Sequence, residues 1–183
     1  MNMKSNIFYA GLAGVILLTS ATLIAPPAQE YKIKEGFKIE FKSKDPSGVF
    51  KEAKGTVKFD AEDLANSKFS LTFPVSSIST GNGMMNKKAQ TEEWFSSEKY
   101  PDIKYVSSKI DKSDNGYIVY GTLTMKGISK EKKVPLKVSK SDGGLTFTGS
   151  FVVNRIDFKV GKESDAVPNN MNISYSLPVT KKQ

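Results

Sequence analysis

Eight stretches of this chain alternate apolar and polar residues with a period of two, and no other feature restricts the fold as strongly. From Tyr31 to Lys42, Tyr31, Ile33, Phe37, Ile39 and Phe41 hold odd positions, while Lys32, Lys34, Lys38, Glu40 and Lys42 hold even ones. That spacing puts the apolar side chains on one face of a β-strand. It returns in Val49, Ala53, Val57 and Phe59, and again in Phe69, Leu71, Phe73 and Val75. Later it recurs in Tyr117, Val119, Leu123 and Met125, then in Val134, Leu136 and Val138. Leu145, Phe147, Phe151 and Val153 form the next set, and Met171, Ile173, Tyr175, Leu177 and Val179 the last. A weaker strand between Ile103 and Ile110 completes the eight.

Short turns separate these segments. Lys44–Gly48, Ser113–Gly116 and Ser141–Gly144 supply the Asp, Asn, Pro and Gly that tight reversals need. One interruption differs. Residues 84–95, MMNKKAQTEEWF, lack Gly, Pro and β-branched runs and contain good helix formers, so they read as one short helix or two turns. No repeat, low-complexity tract or linker divides the chain.

Eight amphipathic strands must each bury one face, in a sandwich or in a closed barrel. Their number favours an all-β, eight-stranded antiparallel barrel with a helical segment after the third strand. A barrel of this size is either just filled by side chains or able to hold one small ligand. Strand parity turns Phe37, Phe41, Phe59, Phe69, Phe73, Tyr105, Tyr117, Phe147, Phe151 and Tyr175 inward, which leaves both outcomes open.

Ahead of the strands, one Lys at position 4 precedes an uncharged apolar run from Ile7 to Ala25, followed by small residues and Pro. The pattern is that of a secretory signal cut after Ala28, which divides the chain into an export segment, 1–28, and a barrel domain, 29–183. The run is close to the roughly 20 residues that span a bilayer, so an uncleaved N-terminal anchor is the competing reading. Export without a single Cys fits a bacterial periplasm, in a domain long enough to do without disulfides.

The absence of Cys and His removes thiol nucleophiles, thiolate metal sites and imidazole chemistry. The dense carboxylates, Asp60, Glu62 and Asp63, sit at a strand turn, and Glu92 and Glu93 are neighbours that point to different sides of a helix. No P-loop, dinucleotide fingerprint or nucleophile elbow occurs. Binding is therefore favoured over catalysis, and no metal or cofactor is expected. The net charge of +8 comes from Lys residues spread over alternate strand positions and the stretch Lys126–Lys133, a solvated surface rather than a nucleic-acid stripe. Transient contact with an anionic membrane surface agrees with that charge. Monomer and homodimer are both left open.

The succession GVFKEAKGTVKFD, SSISTGN, EEWFSSEKYPDIKY, GTLTMKGISKEKKVPLKV and GSFVVNRIDFKVG resembles the YceI-like family, the lipocalin-like polyisoprenoid-binding proteins of bacteria, over roughly residues 30–181. The resemblance implies an eight-stranded barrel around an apolar tunnel that holds a long isoprenoid, an isoprenoid quinone or a related lipid, in proteins that are often exported. The chain departs from the family at Asn82–Lys88, where many relatives carry an Arg-Asp pair and a His. Combined with strand parity, the resemblance nominates Phe41, Phe69, Phe73, Tyr105, Tyr117, Phe147 and Phe151 as tunnel wall. It also nominates Met84, Met85, Trp94 and Phe95 as a lid, with Arg155 either at the polar end of the ligand or in a structural ion pair with Asp157 or another carboxylate. A side-chain-filled barrel with a structural or stress-related envelope role, and a lipid-modifying enzyme, are the competing functions.

Overall fold

The computed structural model describes residues 28–182, so nearly all of the expected export segment lies outside the described residues. Eleven strand segments follow in order: β1 (Glu30–Ile33), β2 (Lys38–Lys42), β3 (Ser47–Phe50), β4 (Lys54–Lys58), β5 (Lys68–Pro74), β6 (Ile78–Ser79), β7 (Asp102–Ser113), β8 (Gly116–Met125), β9 (Ile128–Ser141), β10 (Gly144–Asn154) and β11 (Asn170–Lys181). One helix, α1 (Gly83–Gln90), lies between β6 and β7.

The sheet closes into an antiparallel barrel of eight strands. Neighbours run β1, β4, β5, β7, β8, β9, β10 and β11, and β1 returns to β11 by pairing Tyr31 with Lys181. The expected number stands because each of the first two expected strands is broken in two and the third, Phe69–Val75, is continued past a turn by a short added strand, β6. Gly36, with φ of 83°, turns the chain between β1 and β2, a backbone region that glycine enters freely. Lys51 N donates to Ser77 O at 3.0 Å between β3 and β4, and a single turn, Val75–Ser77, separates β5 from β6. The outer halves β2, β3 and β6 continue from β11 as a flap, and the sheet ends at β6. From there the chain carrying α1 leaves the wall and returns to it at β7.

Two irregularities alter strand parity. The break at Lys51–Ala53 puts Phe50, not Val49, on the inner side together with Val57. In β7 the register shifts between Ser107 and Lys109, so Ile103 and Tyr105 face inward on odd positions and Ile110 on an even one. That bulge explains the weak alternation of this strand. Ser107 is buried there, and its Oγ accepts a hydrogen bond from Phe69 N at 2.8 Å.

The helix is shorter than the sequence suggests. Asn82 caps it, its Oδ1 accepting from Met84 N at 2.9 Å and Met85 N at 3.2 Å. Thr91 then takes an extended conformation and closes the last turn onto Lys88 O. Residues 91–101 are turns, so Trp94 and Phe95 are not helical.

The barrel is solid at one end. Phe147, fully buried, meets Phe59 edge-on at 5.3 Å and Phe69 at 5.2 Å, while Tyr117 meets Phe59 at 5.3 Å. Edge-to-face pairs of this kind add to the area the rings bury. Phe147→Ala removes the shared partner and is expected to lower the free energy of unfolding by about 3–5 kcal/mol, measured by urea denaturation.

Candidate functional site

Above that aromatic plug the barrel is hollow. A cavity of about 350 Å³ extends from Phe69 and Phe147 up to α1, within the range of about 300–1,000 Å³ usual for small-molecule pockets. Its wall is almost wholly apolar. β2 contributes Ile39 and Phe41, β5 contributes Leu71 and Phe73, β7 contributes Ile103, β8 contributes Leu123 and Met125, and β11 contributes Met171, Ile173 and Leu177. Ala89 of α1 packs on Phe41 and Ile78 at the upper end, with Phe50, Phe95 and Met171 around them.

Of the residues nominated from sequence, Phe41, Phe69, Phe73, Met85, Trp94, Phe95, Tyr105, Phe147, Phe151 and Arg155 line the cavity. Two do not. Met84 precedes the wall residue Met85 on α1 but points away from the barrel and is 79% exposed, because adjacent helical positions face different directions. Tyr117 has inward parity but lies behind the floor, against Phe59. Ile39, Ile173 and Tyr175 share the parity of nominated neighbours and were legible from it. Phe50 was hidden by the strand break, and Lys88 and Ala89 by the absence of any parity signal in a helix.

Arg155 departs from the expected ion pair. It is buried at the end of β10, and its guanidinium faces carbonyls: Nε donates to Pro168 O at 3.1 Å, Nη1 to Val160 O at 2.9 Å, and Nη2 to Lys162 O and Val167 O at 2.8 Å each. Nη2 also reaches Asn169 Oδ1 at 3.2 Å. No carboxylate among the described residues forms an ion pair with it. Burial pulls its pKa down, opposed by the charge of Glu163. The guanidinium carbon lies 5.5 Å from the centroid of the Trp94 ring, so this one side chain ties the loop 155–169 to the segment after α1. The indole Nε1 is itself buried without an acceptor.

Two tyrosines are handled in the same way. Tyr105 donates its hydroxyl to Val119 O at 3.0 Å and Lys132 O at 3.3 Å, and Tyr175 donates to Pro135 O at 2.5 Å. Each ring reaches the wall across a glycine. A Cβ on Gly121 would meet the Tyr105 ring and hydroxyl, and one on Gly149 would meet those of Tyr175. Burial raises both phenol pKa values well above the ordinary 10.0. Their polar atoms are thus turned into the backbone and their rings toward the cavity.

The carboxylate groups stand elsewhere. Asp60 Oδ1 accepts from Glu62 N at 2.9 Å in a turn, and Asp63 holds Asn66. Among the described residues no three acidic side chains gather to hold a metal ion.

A closed eight-stranded antiparallel barrel, plugged at one end and hollow and apolar at the other, defines a lipocalin-like barrel. The chain belongs to the YceI-like domain family, whose model matches residues 30–179. A UPF0312 protein of Photorhabdus laumondii is 30% identical over 125 residues, which cover 64% of this chain and 64% of that relative's length. The crystal structure of Burkholderia cenocepacia BcnA superposes with a TM-score of 0.74 at 30% identity, over 79% of this chain and 96% of the other. A polyisoprenoid-binding domain from Saccharophagus degradans shares the fold, with a TM-score of 0.66 at 12% identity, over 85% of this chain and 99% of the other.

Arg155→Lys cannot reproduce the planar fork, so acceptors in the loop are left unpaired. It is expected to reduce stability by about 2–3 kcal/mol and to raise amide exchange selectively in residues 155–169. For Tyr105 and Tyr175, folding holds the phenolic proton more tightly than the unfolded chain does. Their contribution to stability is complete below pH 10.0 and declines above it, by up to about 1.4 kcal/mol per pH unit for each ring. Ultraviolet absorbance titration should show these two phenols ionising only when the protein unfolds.

Proposed function

We propose that this protein binds and carries a long-chain apolar lipid without chemical conversion, holding the chain in the hollow half of the barrel. The cavity of about 350 Å³ carries this reading. A functionless core closes such space, as the plug below it does, because interiors pack to near-crystalline density. No Asp, Glu or Ser lines the cavity, which supports binding over catalysis. Each buried methylene of a ligand contributes about 0.8 kcal/mol, so on the order of ten methylenes give enough gross affinity to outweigh the loss of ligand freedom. The name of the Saccharophagus degradans domain makes a polyisoprenoid a first candidate, with an isoprenoid quinone or a similar lipid beside it.

The uncharged run from Ile7 to Ala25 supports export to the periplasm, either as a processed protein or held by an uncleaved anchor. Mass spectrometry of the N-terminus of the exported protein distinguishes the two, since only processing removes the run.

Lipid mass spectrometry on gently purified protein tests the carrier reading. Ala89→Phe places a ring in the upper end of the cavity and should lower lipid occupancy about tenfold or more, since a ligand then meets steric overlap. Met84→Lys, on the outward side of α1, should retain wild-type occupancy. Folded Ala89→Phe protein that carries as much lipid as wild type would establish that the cavity is not the site.

A further inference from the structure

The cavity offers contacts to a hydrocarbon chain and, among its lining side chains within the barrel, one unpaired donor, the Trp94 indole Nε1. Its tyrosine hydroxyls donate into the wall, the Arg155 guanidinium is committed to loop carbonyls, and the Thr80 hydroxyl at the rim is bonded to Asn86 Oδ1 at 2.8 Å. A charged head group drawn inside would lose its water and find at most that one N–H in return, far less than the hydration it gives up. Any amphiphile held here therefore keeps its head at the opening.

One residue marks that opening. Of the side chains that line the cavity, Lys88 alone is exposed to solvent. It sits in the last turn of α1, one position before the buried Ala89, so its stem borders the cavity while its ammonium stays in water. Its Nζ lies 5.7 Å from the Trp94 ring centroid, and no carboxylate among the described residues pairs with it. A single unpaired cation at the mouth of an apolar cavity is complementary to an anionic oxygen at the end of a long alkyl chain.

We propose that Lys88 is the head-group site: the ligand enters tail first and leaves a phosphate or carboxylate at the mouth, against the Lys88 ammonium. The proposal rests on the lipid-carrier reading and adds the class of ligand, an anionic single-chain amphiphile.

Trp94 is the only tryptophan in the chain and lines the same cavity near Lys88, so its fluorescence reports on the mouth directly. With protein stripped of lipid, stearate carrying a nitroxide near its carboxylate should quench Trp94 more than stearate carrying it near the terminal methyl. Titrations with stearate, octadecyl phosphate and octadecanol should show both anions binding more tightly than the alcohol. In Lys88→Gln the ratio of anion to alcohol affinity should fall about fivefold, the upper end for a charge pair open to water, and Lys88→Glu should lower it further. Tighter octadecyl phosphate supports the site with a phosphate head, and tighter stearate supports it with a carboxylate. An unchanged ratio in both variants, or stronger quenching from the methyl end, overturns the Lys88 site while the carrier reading stands. Failure of all three chains to bind overturns both.

Discussion

The edge-to-face contacts among Phe59, Phe69, Phe147 and Tyr117 determine where this barrel is solid and where it is hollow. An eight-stranded barrel has room for little more than its own side chains. Four large rings gathered at one end close that end completely. The remaining wall carries Ile, Leu, Val and Met, together with aromatic rings that stand along it, and these do not meet across the middle. The cavity is thus a consequence of uneven distribution: the plug supplies rigidity and core burial, and the upper half is released from that duty.

Polar groups in the upper half follow one rule, with the unpaired Trp94 Nε1 as the exception. Tyr105 and Arg155, both buried, and the half-buried Tyr175 are all large and all border the cavity, yet each directs its polar atoms into backbone carbonyls. Burying a donor is tolerable only when it is bonded, and a bonded donor no longer attracts a ligand's oxygen. The same side chains that stiffen the wall therefore keep it apolar. Gly121 and Gly149 make this arrangement sterically feasible, because any side chain there would occupy the place of a tyrosine ring.

Broken strands, which are a defect in a simple barrel, are what open this one. β1 and β4 belong to the closed ring, whereas β2, β3 and β6 continue beyond it as a flap that ends at β6. The space beyond β6 is taken by α1 and the turns that follow it, an insertion joined to the barrel through Ala89, Trp94 and Phe95. Mouth, lid and tryptophan thus come from one short segment of chain, held in place from the other side by the Arg155 loop.

Alternation along the chain was enough to give eight strands, an inward set rich in Phe and Tyr, and a family resemblance, because one-sided burial in a strand imposes a period of two whatever the neighbours are. It identified most of the cavity wall for the same reason. It was not enough to assign Tyr117 to the plug and Phe73 to the cavity: both face inward, and only their height in the barrel separates them, a coordinate set by strand stagger and absent from parity. Phe50 and Ile110 were displaced by a break and a bulge whose energetic cause lies in partners far along the chain, Ser77 and the β8 register. Arg155 was visible as a residue but not as a hub, since its acceptors are backbone carbonyls that every sequence supplies and that only the folded loop brings together. Lys88 is one lysine among many in composition, and its place at the opening of the cavity exists only once α1 is laid over the barrel.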